Sequence, residues 1–277
     1  MNVKNLSVDS QTGVYFAGMP QLAYQGLSEN WLLKECGHRH WMGLASLSGK
    51  RQPDFCDLNG NKSYAAFTAV RITSAKLHEV VENQRFSISS QVSKAGQARY
   101  YSSHQLISGS DVSHIEMLST FVFRREAGNN QTVSRANFIN PNISEPESEA
   151  SELMQQVKII RTEVWDKYLG VLRSSKSTLK EIEFSPCPNN DFNGANFLYF
   201  ASFQAFIDRA EWAWFNAKDL PSISDRHMFF YGNINVGDKL KIRLCAINNN
   251  AKFITHWCEI YGNGLKIADV FTRKQRI

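Results

Sequence analysis

Two halves of this chain carry the same order of elements, and that repetition limits what it can fold into more than any other feature. The first half opens at Gly26-Leu27-Ser28-Glu29-Asn30-Trp31-Leu32-Leu33. Ser28 has the chemistry of an N-cap, and apolar residues at 31, 32, 36 and 41 predict a largely buried helix. Gly43 and Gly49 break that pattern, and Pro53 and Gly60 mark a loop. Strand-like runs follow at Tyr64 to Ile72, Arg85 to Val92, Ala98 to Ile107 and Ile115 to Arg124, with Lys94-Ala95-Gly96-Gln97 composed as a hairpin turn. In the second half, Asp191-Phe192-Asn193-Gly194 opens a predicted helix reaching Phe215. Its strands are Met228 to Asn235, Lys239 to Ile247, Phe253 to Tyr261 and Leu265 to Arg273. Two local matches support duplication: Asn30-Trp31-Leu32 with Asn196-Phe197-Leu198, and Phe121-Val122-Phe123-Arg124 with Val270-Phe271-Thr272-Arg273.

Asn137 to Ala150, rich in Asn, Ser, Pro and Glu, reads as a linker between the halves. Ser151 to Leu172 then predicts a connecting helix, with Leu153, Val157, Ile160, Val164 and Tyr168 on one stripe. The expected organisation is a first unit over 1–136, a linker and connecting helix over 137–180, and a second unit over 181–277. One buried helix followed by consecutive antiparallel strands is the order of a hot dog unit. The expected class is therefore α+β, a double hot dog whose two units cover each other's open sheet edge.

With 277 residues, 43% of them hydrophobic, the chain can bury a substantial core. Its five cysteines lack CxxC spacing and read as reduced thiols of a cytoplasmic protein. Met1 to Ala17 lacks the apolar segment of a secretory signal, and no apolar run is long enough to span a membrane. The net charge of +5 is dispersed. That suits a solvated surface or an acidic partner better than nucleic acid, since no basic stripe interleaves with aromatics.

Gly18-Met19-Pro20-Gln21-Leu22, Gly26 to Glu35 and His40-Trp41 resemble the opening of the leinamycin-pathway type of bifunctional acyltransferase/decarboxylases of polyketide biosynthesis. Asp191 to Gly194, Asn196-Phe197-Leu198-Tyr199-Phe200 and Asp208-Arg209-Ala210-Glu211 resemble the second helix of that family. The resemblance runs from Gly18 to Arg273. It implies a double hot dog that decarboxylates methylmalonyl-CoA and passes the propionyl group to an acyl carrier protein through a tyrosine ester. The matching tyrosine is Tyr64. No cofactor is implied beyond the coenzyme A of the substrate, and a homodimer is compatible with it.

A phenol titrates near pH 10, so it is a poor nucleophile until something takes its proton. The sequence shows no Ser-His-Asp set and no GxSxG elbow. The enolate left by decarboxylation is itself a strong enough base, provided that neutral donors stabilise its oxygen. Asn30 and His40 are candidate donors in the first unit, and Asn193 and Asn196 are their counterparts in the second. Trp31 and Tyr199 are candidates for lining the acyl or pantetheine tunnel. Plainer roles stand beside each: Tyr64 as a groove tyrosine, His40 as a satisfied structural histidine, Asn30 and Asn196 as caps, Trp31 and Tyr199 as core. His38 and His40 form an HxH pair without a third metal ligand. Asp208 and Glu211, in an apolar helix, are either paired with Arg209 or exposed. Two other functions fit the same pattern: a thioesterase or dehydratase using Glu29, Glu35 or His40, and a non-catalytic acyl-CoA or carrier-protein binding module.

Overall fold

The computed structural model describes residues 11–96, 99–136, 148–216 and 221–276. Each half contributes one edge strand, one long helix and four consecutive antiparallel strands. In the first unit these are β1 (Gln11–Phe16), α1 (Glu29–Leu47), β2 (Tyr64–Thr73), β3 (Arg85–Lys94), β4 (Arg99–Ser108) and β5 (Asp111–Arg124). A short strand, β6 (Val133–Arg135), pairs with β5, and α2 (Ser148–Arg161) connects the units. The second unit contains β7 (Lys180–Phe184), α3 (Phe200–Phe215), β8 (Ser222–Phe230), β9 (Leu240–Asn249), β10 (Phe253–Gly262) and β11 (Leu265–Gln275).

Ten of these strands run in one antiparallel sheet in the order β1-β3-β4-β5-β2-β8-β11-β10-β9-β7, with β6 alongside β5. The order within each unit is the same. The edge strand before the helix pairs with the second strand after it, and the first strand after the helix closes the far side. The units meet where β2 pairs with β8, Val70 opposite Met228 and Ile72 opposite Arg226. Both seam strands carry a bulge at matching places, between Phe67 and Ala69 in β2 and between Ile223 and Asp225 in β8. Such an extra residue bends a strand and sharpens its twist, which helps the sheet wrap its helix. This is the double hot dog that the order of elements predicts.

One apolar core runs through both units: Leu32, Leu33 and Cys36 of α1 join Phe203, Phe206 and Ile207 of α3 over the inner sheet face. A second cluster covers the outer face, where Leu153 and Ile160 of α2 and Trp165 pack on Ala69, Leu118, Phe229 and Phe271. The expected cap is present, with the Ser28 side chain accepting from the Trp31 amide at 3.2 Å.

Several boundaries differ from the sequence reading. The second helix begins at Phe200, not Asp191. Asn196 sits in the left-handed region at φ 59°, and Phe192 bridges back to Leu198, so the stretch before Tyr199 is a loop. The connecting helix ends at Arg161, because Glu163 turns left-handed at φ 56° and a small hairpin, Lys167–Tyr168 with Val171–Leu172, follows. Strand β8 starts six residues early, at Ser222. Both edge strands, β1 and β7, were absent from the sequence reading. Most of the expected linker, 137–147, lies outside the described residues.

The true repeat register follows from the helix starts and the hairpins. Glu29 corresponds to Phe200, so Asn30 matches Ala201 and not Asn196, while His40 matches Glu211. The β4–β5 and β10–β11 hairpins place Ser102 with His256 and His104 with Cys258. Ser119 lies opposite the residue two before Ser102, and Lys274 lies opposite the residue two before His256, so these two correspond as well.

Candidate active site

Tyr64 begins β2, opposite Val122, and is half-buried. Its ring meets Phe197 of the second unit edge-on at 5.8 Å. The Arg124 guanidinium lies 3.9 Å from the Phe197 ring centroid and 5.7 Å from that of Tyr64. The Tyr64 hydroxyl makes no hydrogen bond to any described residue. Arg124 is held in place by its Nε, which donates to Asn130 Oδ1 at 2.8 Å, and by its Nη2, which donates to the Ala195 carbonyl. Asn130 in turn donates its amide to the carbonyls of Ile234 at 2.8 Å and Asn196 at 2.5 Å. The loop over 192–199 is thereby clamped beside Tyr64.

Asn193 and Asn196 shape that loop. The Asn193 side chain accepts from the amides of Ala195 at 3.0 Å and Phe197 at 3.1 Å. Its own amide donates to the Phe197 carbonyl at 2.9 Å. Asn196 supplies the left-handed turn, a conformation that asparagine tolerates better than most residues.

His40 does not share a sheet face with Tyr64. Ala65 and Phe67 point toward α1, so alternation along the strand sends Tyr64 to the other side. His40 is fully buried, its Nδ1 2.7 Å from Ser102 Oγ and its Nε2 2.8 Å from Ser119 Oγ. The chain continues from Ser102 to His104 at 2.9 Å and from His104 to Ser90 at 2.8 Å. Burial drops both imidazoles to about 3, and the neighbouring His40 and Arg39 add to the effect on His104. Asn30 donates its amide to the Ala201 carbonyl at 2.8 Å and to Gln204 Oε1 at 3.2 Å, tying α1 to α3. Trp31 packs edge-on to Tyr15 at 5.4 Å and to Phe86 at 5.8 Å. Tyr199 precedes α3, with its hydroxyl against α1 where a Cβ on Gly37 would come within 2.9 Å of it, and burial pushes the phenol up to about 12. The structure thus brings Tyr64 together with the loop of Asn193 and Asn196, and sets Asn30, Trp31, His40 and Tyr199 around the central helices.

A second constellation lies between the units on the inner face. Arg226 of β8 is fully buried. Its Nε is 2.7 Å from Glu29 at the start of α1, its Nη2 is 2.7 Å from Asp208, and its Nη1 is 3.6 Å from Glu211. Lys274 pairs with Glu211 and lies 3.7 Å from Asp208. His256 Nε2 sits 2.9 Å from Glu211 and its Nδ1 3.5 Å from Cys258 Sγ. Burial pushes the Glu29 carboxyl up to about 7 despite Arg226. Burial also raises Glu211, but Lys274, His256 and Arg226 outweigh it and hold that carboxyl well below the usual range. A pocket of about 240 Å³ opens onto Asp208, Glu211, His256 and Lys274.

Asp208 and Glu211 stand out in the sequence as acids in an apolar helix, but their partner is Arg226, 15 or more residues away, and not Arg209. The Arg209 guanidinium lies 5.1 Å from the Phe206 ring centroid instead. Arg226 and Lys274 fall just outside the predicted strands Met228 to Asn235 and Leu265 to Arg273, so the sequence offered no sign that they face inward.

Comparison with solved structures finds the same architecture repeatedly. A putative oleoyl thioesterase from Lactobacillus plantarum matches with a TM-score of 0.70 at 9% identity, over 98% of each chain. A 12:0-ACP thioesterase from Umbellularia californica matches with a TM-score of 0.66 at 8% identity, over 96% of this chain and 98% of that one. An acyl-ACP thioesterase from Bacteroides thetaiotaomicron matches with a TM-score of 0.62 at 10% identity, over 96% and 97%. At such identities the likeness establishes the fold. The class defined is the double hot dog protein, shared with thioesterase structures along nearly its whole length. No protein-family model and no curated sequence matches the chain. Among the described residues no helix is long and apolar enough to cross a membrane.

Proposed function

We propose that this chain is an enzyme of acyl thioesters that decarboxylates methylmalonyl-CoA and passes the propionyl group, through an ester on Tyr64, to an acyl carrier protein. The observation that carries this reading is half-buried Tyr64 against Phe197 of the second unit, its hydroxyl without a described hydrogen-bond partner and its ring beside the clamped Arg124 guanidinium. The sequence resemblance to acyltransferase/decarboxylases supports it. So does a fold found in proteins named as acting on acyl-ACP.

In this scheme Arg124 orients the substrate carboxylate. Loss of carbon dioxide leaves its electron pair in the enolate, which takes the Tyr64 proton to become propionyl-CoA. The phenolate oxygen then bonds to the thioester carbon, and coenzyme A leaves as a thiolate that takes a proton from water. The carrier thiol attacks the tyrosyl ester, and its proton returns to the phenol oxygen. Asn193, Asn196 and Asn130 act by holding the loop that positions Arg124. His40 and Asn30 act as positioning residues for α1, and Trp31 and Tyr199 set the walls between the central helices. The scheme calls for no resident cofactor. Intact-mass measurement after incubation with methylmalonyl-CoA tests it directly. A propionyl adduct is expected on the native chain and none on Tyr64→Phe; free propionate without any adduct would defeat it.

A further inference from the structure

The internal repeat shows what chemistry the pocket beside Asp208 would accept. Trp41 lies twelve residues after the start of α1, and Trp212 lies twelve residues after the start of α3, so the two correspond. Trp41 is covered. The Phe55 ring lies 5.0 Å from it and 4.8 Å from Phe121, which Tyr100 meets edge-on at 5.4 Å. That end of the first unit is a closed aromatic cluster. Phe55 comes from residues 48–63, which join α1 to β2.

The second unit is built differently at the same place. Its connection from α3 to β8 is 216–221, six residues against sixteen, and contains no aromatic residue. In the hairpin register Tyr100 is matched by Ile254, and Phe121 by the exposed Arg276. Trp212 is 55% exposed and Phe215 38% exposed, and with Ile254 and Pro221 they line the pocket of about 240 Å³. The pocket thus corresponds to the space that a phenyl ring fills in the first unit. An apolar cavity of about 150 Å³ already holds benzene, so a ring with a short arm fits the larger one.

The polar side of the pocket is also peculiar to this unit. Where α1 has Gly37, α3 has Asp208, one turn before Trp212 on the same helix face. Among the carboxylates around Arg226, Glu29 and Glu211 are 7% and 10% exposed, whereas Asp208 is 42% exposed. Arg226 at 2.7 Å fixes its Oδ1 and the Gln204 amide its Oδ2. An ionised carboxylate offers roughly four acceptor sites, so Asp208 can still take a donor from a ligand. Lys274 also lines the pocket, but Glu211 engages its ammonium. We propose that the pocket binds a small arylalkylamine, its ring against Trp212 and Phe215 and its ammonium on Asp208. Side chains one turn apart start about 5–6 Å from each other, a gap that a two-carbon arm bridges. An ammonium beside an indole face gains a cation–π attraction as well. The site is on the helix-facing side of the sheet, the opposite face from Tyr64, so it stands or falls apart from the transfer reaction.

The test is isothermal titration calorimetry of the purified full chain with 2-phenylethylamine, with 2-phenylethanol and phenylacetate as comparisons of similar size. The amine should bind about tenfold or more tightly than either, the margin of one charge-assisted hydrogen bond. Asp208→Asn should weaken amine binding by about the same factor and leave 2-phenylethanol unchanged. Trp212→Ala, at an exposed wall position that folding tolerates, should weaken both; it keeps the test decisive if Asp208→Asn misfolds. No saturable binding of the amine by the native chain overturns the proposal, as does native affinity in folded Asp208→Asn or Trp212→Ala. Equal affinity for 2-phenylethanol would make the pocket a slot for any ring and overturn the amine assignment. Tyr64→Phe should bind the amine as the native chain does; loss there would place the site elsewhere and overturn the proposal. The propionyl adduct from methylmalonyl-CoA reports the Tyr64 site separately.

Discussion

At the scale of single residues, burial decides which ionisable groups are reactive and how the protein responds to pH. His40, His104 and His227 are all held neutral, each at about 3, chiefly by burial. The unfolded chain binds these protons below about 6.5 and the folded chain does not, so stability is full above 6.5 and falls as the pH drops. Acidification from pH 6.5 to 5 should cost about 2 kcal/mol per histidine; thermal melts across that range check it, and a flat Tm would contradict it. Glu29 works in the opposite sense. Its folded carboxyl keeps a proton up to about 7 against an ordinary value of 4.5, so its contribution is lost as pH rises through that window. Glu29→Gln should therefore melt higher than the native chain at pH 8, by up to roughly 3 kcal/mol, and equally at pH 4.5. At the proposed transfer site, Arg124→Met removes a charge-assisted contact of about 1.5–3 kcal/mol. Labelling of Tyr64 by methylmalonyl-CoA should slow by one to two orders of magnitude, as read by the rate of adduct formation.

At the scale of elements, backbone chemistry fixes what side chains alone leave open. Gly26 enters α1 at φ 75°, where a Cβ would stand 2.2 Å from the Leu77 carbonyl oxygen, an atom of the backbone that cannot swing aside. Gly26→Ala should lower Tm by several degrees, and circular dichroism melts would show it. The helix from Glu29 and all four later strands of the first unit were legible in the sequence, because capping, apolar spacing and turn residues agree there, although the helix runs on through Gly43, read as a break, to Leu47. The edge strands were not. Gln11–Phe16 and Lys180–Phe184 are short and half-exposed, and the Glu181-Ile182-Glu183-Phe184 alternation is too brief to set a strand apart from a loop. The loop over 192–199 imitates a helix entrance because aspartate and asparagine suit both caps and turns. That likeness also drew the repeat register from Ala201 to Asn196. Tyr64 was legible only through resemblance, since its strand neighbours Ala65 and Ala66 carry no chemical signal. The Arg226 cluster escaped notice because its members come from α3, β8, β10 and β11, with Glu29 of α1, and meet only when the sheet packs on its helices.

At the scale of the whole molecule, the two units are one folding body. Core residues of α1 and α3 share a single cluster, and β2 has β8 as its second neighbour. Residues 1–136 expressed alone should aggregate, since they would expose both the open edge of β2 and the apolar face that α3 covers. A soluble, cooperatively unfolding fragment in gel filtration and melting would refute that. Among the described residues, joining the seam leaves two free strand margins of unlike character. Along β7, Glu181 and Glu183 are engaged by Lys239, Lys241 and Arg243, whereas β1 presents exposed Val14 and Phe16. Head-to-tail stacking of β1 on β7 would never close and would grow into fibres. The ionic margin of β7 discourages that growth, so any strand-to-strand assembly that stops at two copies has to form between like margins, β1 against β1.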